Sequence, residues 1–160
     1  MTSSYVRFAA MIVTSTCVMF GLMYLNSFAA DHVWFSQTRM WMALYMGAAM
    51  AAVMLAFMLG MYQNSRANMA IFAGAALLFA SSLTLVRSQV TVGDEAWMKA
   101  MIPHHSIAIL TSSRAHLSDP RVRKLADEII EAQSTEIAEM KALIADLDGG
   151  PEATPEIDGR

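Results

Sequence analysis

The sequence predicts an all-α protein: three transmembrane helices followed by a soluble antiparallel helical hairpin. Three observations predict it. Hydrophobic residues make up 56% of the 160 residues and charged ones only 16%, against roughly 25% charged in soluble domains. The charges are segregated, because residues 1–86 carry only Arg7, Asp31, Arg39 and Arg66 while all the other ionised side chains follow. Within that N-terminal part, three uncharged apolar runs each reach the roughly 20 residues that cross a bilayer as a helix.

The spans are read at about 8–25, 40–62 and 68–86, within a transmembrane region 1–87. Arg7, Arg39, Arg66 and Arg87 flank them, and Tyr5, Tyr24, Trp34, Trp41 and Tyr62 lie near their ends, where amphipathic rings favour the headgroup layer. The first run is too long for an ordinary signal-peptide core, so it is expected to be retained despite the small residues near Ala29-Ala30. Three spans put the 26–39 loop and the C-terminal part on the same face. The flanking arginines nearly tie. The opposite face carries the amino terminus and no acidic residue, which favours a cytoplasmic N-terminus and an extracytoplasmic hairpin.

Small residues recur every four positions at Ala43, Gly47 and Ala51 and at Ala70 and Gly74, and are expected to form helix-packing seams. Met42, Met46, Met50, Met54 and Met58, with Met61 beyond, form a ridge on the second span. Such a ridge reads either as a ladder of thioethers for a soft cation or, in the preferred reading, as adaptable apolar packing. The net charge of −3 gives no basic footprint and excludes a nucleic-acid partner from the expectations. Cys17 is the sole cysteine, so no intramolecular disulfide can form.

The hairpin is read over residues 94–148. Asp94 is the expected N-cap of its first helix, which runs to about Leu117 with a kink or restart at Pro103. Ser118-Asp119-Pro120 starts the second helix, and Gly149-Gly150-Pro151 stops it ahead of a disordered tail, 149–160. The second helix shows an apolar row at Val122, Ala126, Ile129, Met140, Leu143 and Leu147. The same rhythm lands on Gln133 and Glu136, polar groups that must pair across an interface or with the histidines of the first helix.

Those histidines are the sharpest chemical feature. Met98, Met101 and His105 share a helical face, and His104 projects about 100° away. Two imidazoles beside thioethers suit a soft or borderline metal such as Cu(I), Ag(I) or Cu(II). They suit di-iron less well, since its carboxylates and Glu-x-x-His pattern are missing. The alternative is a histidine pair at a kinked helix start, one solvated and one packing. His116, three turns beyond His105, reads as a helix-dipole residue or a further ligand, and His32 beside Asp31 is a further candidate on the same face of the membrane.

The string Met98-Lys-Ala-Met-Ile-Pro-His-His105, then Asp119-Pro-Arg-Val-Arg-Lys-Leu-Ala126, Ile129-Ile130, Gln133, Glu136-Ile137 and Met140, resembles domain-of-unknown-function family 305. The resemblance is read over about residues 94–147 and not over the spans. It implies a ferritin-like fold, of which this hairpin is half a four-helix bundle, and a copper site at Met101, His104 and His105 with Met98 and Met140 as thioether ligands. His116, Glu136 and His32 are held as additional ligands. In the 107–113 segment, where relatives commonly carry a further methionine, this sequence has none. A two-helix stripe cannot bury itself, so a homodimeric bundle, or docking into a larger membrane complex, is expected.

The functional expectation is a multi-pass protein of a bacterial-type inner (plasma) membrane whose extracytoplasmic hairpin binds copper for sequestration or delivery. The alternative is an assembly subunit of a larger complex with no metal. No nucleophile–base pair or phosphate-binding loop is visible, so an enzyme is not expected.

Overall fold

Residues 2–149 are described by a computed structural model, in which five α-helices and a single 3-10 turn account for the regular structure and no strand occurs among the described residues. The helices are α1 (Thr2–Leu22), α2 (Gln37–Phe57), α3 (Ser65–Ser88), α4 (Asp94–Arg114) and α5 (Pro120–Leu147), with the 3-10 turn at Ala30–His32 between α1 and α2. The tail expected to be disordered lies, apart from Gly149, outside the described residues. The helices fall into two compact units, one of residues 2–25 with 37–92, the other of residues 26–36 with 93–149.

The first unit holds three helices long and apolar enough to cross a membrane, at Ser4–Leu22, Gln37–Phe57 and Ser65–Ser88. The second ends short of the expected residue 62. Met58 to Met61 form a turn closed by the Met61 N–H on the Met58 carbonyl at 2.9 Å, and the Gln63 amide donates to Gly60 O at 2.7 Å. Asn64 then caps α3, its side chain accepting from the N–H groups of Arg66 and Ala67. The methionine ridge is therefore cut. Met54 and Met58 pack on the Phe8–Leu55–Tyr62 cluster, while Met61 is exposed in the turn.

Helix α2 packs on both of its neighbours. Its small-residue seam works as the spacing predicts: Ala43 is buried, and a Cβ on Gly47 would run into the Thr16 side chain of α1. The Ala70–Gly74 seam of α3 does not, because α3 turns its Asn68, Ala75 and Ser82 face inward and leaves Gly74 with open space around it. Polar groups fasten both ends of α1. At one end the Tyr5 hydroxyl donates to Asn68 Oδ1 at 2.9 Å, and Asn68 donates to Tyr62 O at 2.7 Å. At the other, Arg39 is buried rather than merely flanking, with its guanidinium on Met23 O at 2.7 Å and 4.6 Å from the Tyr24 ring centre. A cation on the terminal carbonyls of a helix satisfies groups that hydrocarbon would leave unpaired.

The second unit is the hairpin together with the loop that joins α1 to α2. Its core is Met98, Ile102 and Ile109 of α4 against Ile137, Met140 and Ile144 of α5, with Trp34 of the loop, Met101 and Ile130 packed on it. Helix α4 begins at Asp94 with Gly93 as its N-cap, so Asp94 and Glu95 sit in the first turn, where carboxylates favour the helix dipole. It continues as one helix through Pro103, which excludes the restart, one of the two expected outcomes there. It ends at Arg114, before the expected Leu117, because Ala115 is extended and the chain must turn to reach the Asp119 cap of α5. Arg123 donates to Ser112 O at 2.6 Å and helps close that end.

The inward row of α5 differs from the expected one. Ala126, Ile137, Met140 and Ile144 are buried, whereas Val122, Leu143 and Leu147 are exposed. Two rows of four-three rhythm run side by side on this helix and share Ala126, Gln133 and Met140. The structure uses the one that buries two β-branched isoleucines and leaves Glu136 on the flank.

The 26–36 loop is held across one flank of the hairpin. Ser106, fully buried, accepts the Phe28 N–H at 2.7 Å and lies 3.0 Å from His32 Nδ1. Asp31 pairs with Lys141 at 2.6 Å and accepts the Trp34 indole N–H on its carbonyl at 3.0 Å. Replacing Ser106 by Ala leaves the Phe28 N–H unpartnered, a loss of roughly 1–3 kcal/mol. Hydrogen exchange of the amides in residues 28–34 is predicted to accelerate in Ser106→Ala while those of α1–α3 hold, and an unchanged loop would show that Ser106 does not fasten it.

Candidate functional site

The middle of the hairpin brings a histidine and a carboxylate together. His105, on α4, is half-buried, and its Nδ1 lies 2.9 Å from Oε2 of Glu136 on α5. The contact has ion-pair distance but lies off the hydrogen-bonding direction of the ring, so buried Nδ1 has no hydrogen-bond partner. Gln133, one turn before Glu136, donates to the same oxygen at 3.0 Å. The polar pair that interrupts the α5 row thus meets the histidine of α4, one of the two arrangements its position allowed.

Burial is the largest influence on His105 and lowers its pKa from the usual 6.5, with His104 acting in the same direction and Glu136 opposing both. The ring is therefore held neutral at neutral pH, the form that binds metals. Its neighbour His104 is exposed, and the two ring centres lie 6.0 Å apart. The two ring planes are tilted at 59° to each other.

The remaining sequence-derived candidates separate. Met98 and Met140, only 5% and 6% exposed, are packed among isoleucines in the core. Met101 is half-buried at the edge of that core and is the thioether next to the histidine pair along the helix. His116 lies beyond the end of α4 in the exposed link, so it does not continue the His105 face. His32 is tied to Ser106, which stands about 100° around α4 from His105. It belongs to the loop-covered flank, and burial, with Lys141, lowers its pKa too. Among the described residues no three His, Cys, Asp or Glu side chains gather as a metal cluster.

Ser106 and the Phe28, Asp31 and Lys141 contacts were missed by the sequence reading. A serine in the apolar stretch after the histidine pair was the available signal; its partners, more than 70 residues away, left none.

These features define an all-helical protein with three helices able to span a membrane and a hairpin that sets a half-buried histidine beside a carboxylate. Residues 39–144 match the family described as "Domain of unknown function (DUF305)", and the chain belongs to that family. The match extends well upstream of the 94–147 stretch and takes in α2 and α3, so the resemblance is not confined to the hairpin. The uncharacterized protein L153 of Acanthamoeba polyphaga mimivirus is 39% identical over 61 residues, which is 37% of this chain. The aligned part spans 40% of that relative's length. No solved structure matches.

The lowered pKa of His105 has a consequence for stability. The unfolded chain takes up the proton more readily than the folded one, so stability is retained above the ordinary value of 6.5 and falls as the pH drops below it. Glu136→Gln removes the one group that favours the charged ring. NMR titration of the variant is predicted to show a still lower His105 pKa, and a rise would contradict the pairing.

Proposed function

We propose that this chain is a membrane-anchored copper-binding protein whose extracytoplasmic hairpin takes up copper for sequestration or delivery. The observation that carries this reading is His105: neutral, half-buried and beside Glu136, with the exposed ring of His104 centred 6.0 Å away. Met101 supplies the adjacent soft donor, and a site of imidazole and thioether favours Cu(I) over harder cations. Bound copper would be cargo in such a site, not a catalyst. The buried Met98 and Met140 support the hairpin core and are not needed as ligands. The arginine distribution supports a cytoplasmic N-terminus in a bacterial-type inner (plasma) membrane, with the hairpin outside.

A second reading, a metal-free assembly subunit of a larger membrane complex, is favoured by the exposed Trp97 and Leu147 beside an apolar cleft of about 340 Å3. Copper titration of the detergent-purified protein separates the two. The wild type is predicted to take up Cu(I) at micromolar concentration or below, and His104→Ala/His105→Ala to lose that uptake. Equal copper content in the two proteins would sink the copper reading.

A further inference from the structure

Beyond the seam that α4 and α5 share, each helix carries a second one. On α4, Trp97, Met101, His104 and Ala108 follow at steps of four, three and four. On α5, Val122, Ile129, Glu136 and Leu143 follow at strict seven-residue spacing. Both rows lie away from the 26–36 loop, which meets the hairpin through Ser106 and Lys141. Trp97 is 51% exposed, Val122 46% and Leu143 40%, His104 and Glu136 are exposed too, and Met101, Ala108 and Ile129 are half-buried; Leu147, one turn past Leu143, is 59% exposed.

A heptad-spaced apolar row is the complement of another helix running alongside it. Two such rows side by side call for a pair of helices. The two rows contain no Lys or Arg, and their one charged member is Glu136, which stands with His105 and His104 near the middle. A two-fold axis sets each such face against its own copy. Because Glu136 is close to the midpoint of the open stretch from Val122 to Leu147, parallel and antiparallel pairing both bring polar centre to polar centre. The carboxylate of one copy then meets the histidines of the other. A single chain offers two imidazoles and one thioether near this point, and no third His, Cys, Asp or Glu side chain joins them among the described residues. The donor set is incomplete without another chain.

We infer that this flank is where a second copy of the chain packs, and that the two copies hold one copper ion between them through His104 and His105 of each. This inference rests on the copper reading above. It goes further in naming the partner and in making the site a property of the dimer.

The test is Cu(I) titration of the full chain in detergent under reducing conditions, with chains and copper counted by native mass spectrometry. One copper per two chains is expected. Leu143→Glu changes an exposed side chain and leaves His104 and His105 in place, yet it is expected to weaken copper uptake at least tenfold. Leu147→Glu, on the same flank, is expected to do likewise, with the helical circular dichroism of both unchanged. One copper on each single chain, or wild-type affinity in both variants, overturns the shared site and leaves the copper reading standing. A wild type that takes up no copper overturns that reading, and the shared site with it.

Discussion

The packing phase of α5 against α4 governs everything else in the hairpin. Two rows of nearly equal apolar content run along α5, sharing Ala126, Gln133 and Met140 and differing by one residue at the positions between them. Burying Ile137 and Ile144 puts β-branched side chains against Met98, Ile102 and Ile109. Burying the other row would carry Glu136 into the core with no cationic partner, at a cost of several kcal/mol. The isoleucine phase avoids this by a rotation of about 50°, half the angle between consecutive residues, because the two rows share every other member. It leaves Glu136 on the flank beside His105, where the carboxylate stays half-exposed and the imidazole stays neutral. The same rotation leaves Val122, Leu143 and Leu147 facing outward.

The loop between α1 and α2 resolves half of the difficulty of a two-helix domain. A hairpin has two flanks beside its seam, and Phe28, His32 and Trp34 cover one of them through Ser106 and the core. The loop is short and carries its own tie, the Asp31–Lys141 ion pair. The hairpin is therefore built from two separated stretches of chain. The family match, which begins at residue 39, takes in α2 and α3 as well as the hairpin.

Much of this was legible in the sequence and some could not be. Spans and stops follow from local chemistry, so Asp119 and Gly149 begin and end α5 as their residue types dictate, whereas the Asn64 cap of α3 was not read and the cap of α4 is Gly93, one residue before the expected Asp94. Periodicity showed that α5 is amphipathic but could not choose between rows that share Ala126, Gln133 and Met140. That choice is made by the opposing helix. Likewise the spacing of Gln133 and Glu136 showed that they needed a partner, and only the fold identifies it as His105. The end of α4 was misplaced because His116 and Leu117 continue a helical pattern that the turn into Asp119 overrides. The loop contacts lie beyond any local signal, since residues 28 and 32 meet residue 106 only through the tertiary fold.

The central claim is that the paired histidines of α4, and not the other two, form the metal site. Nitrogen-15 NMR of the histidine-labelled protein, recorded before and after addition of Cu(I), tests it most directly because Cu(I) is diamagnetic and each ring nitrogen reports separately. The account predicts that His104 and His105 shift at a ring nitrogen, that Nδ1 of His105 keeps its contact with Glu136, and that His32 and His116 stay where they were. Shifts at His32 or His116 with His105 unmoved would contradict it.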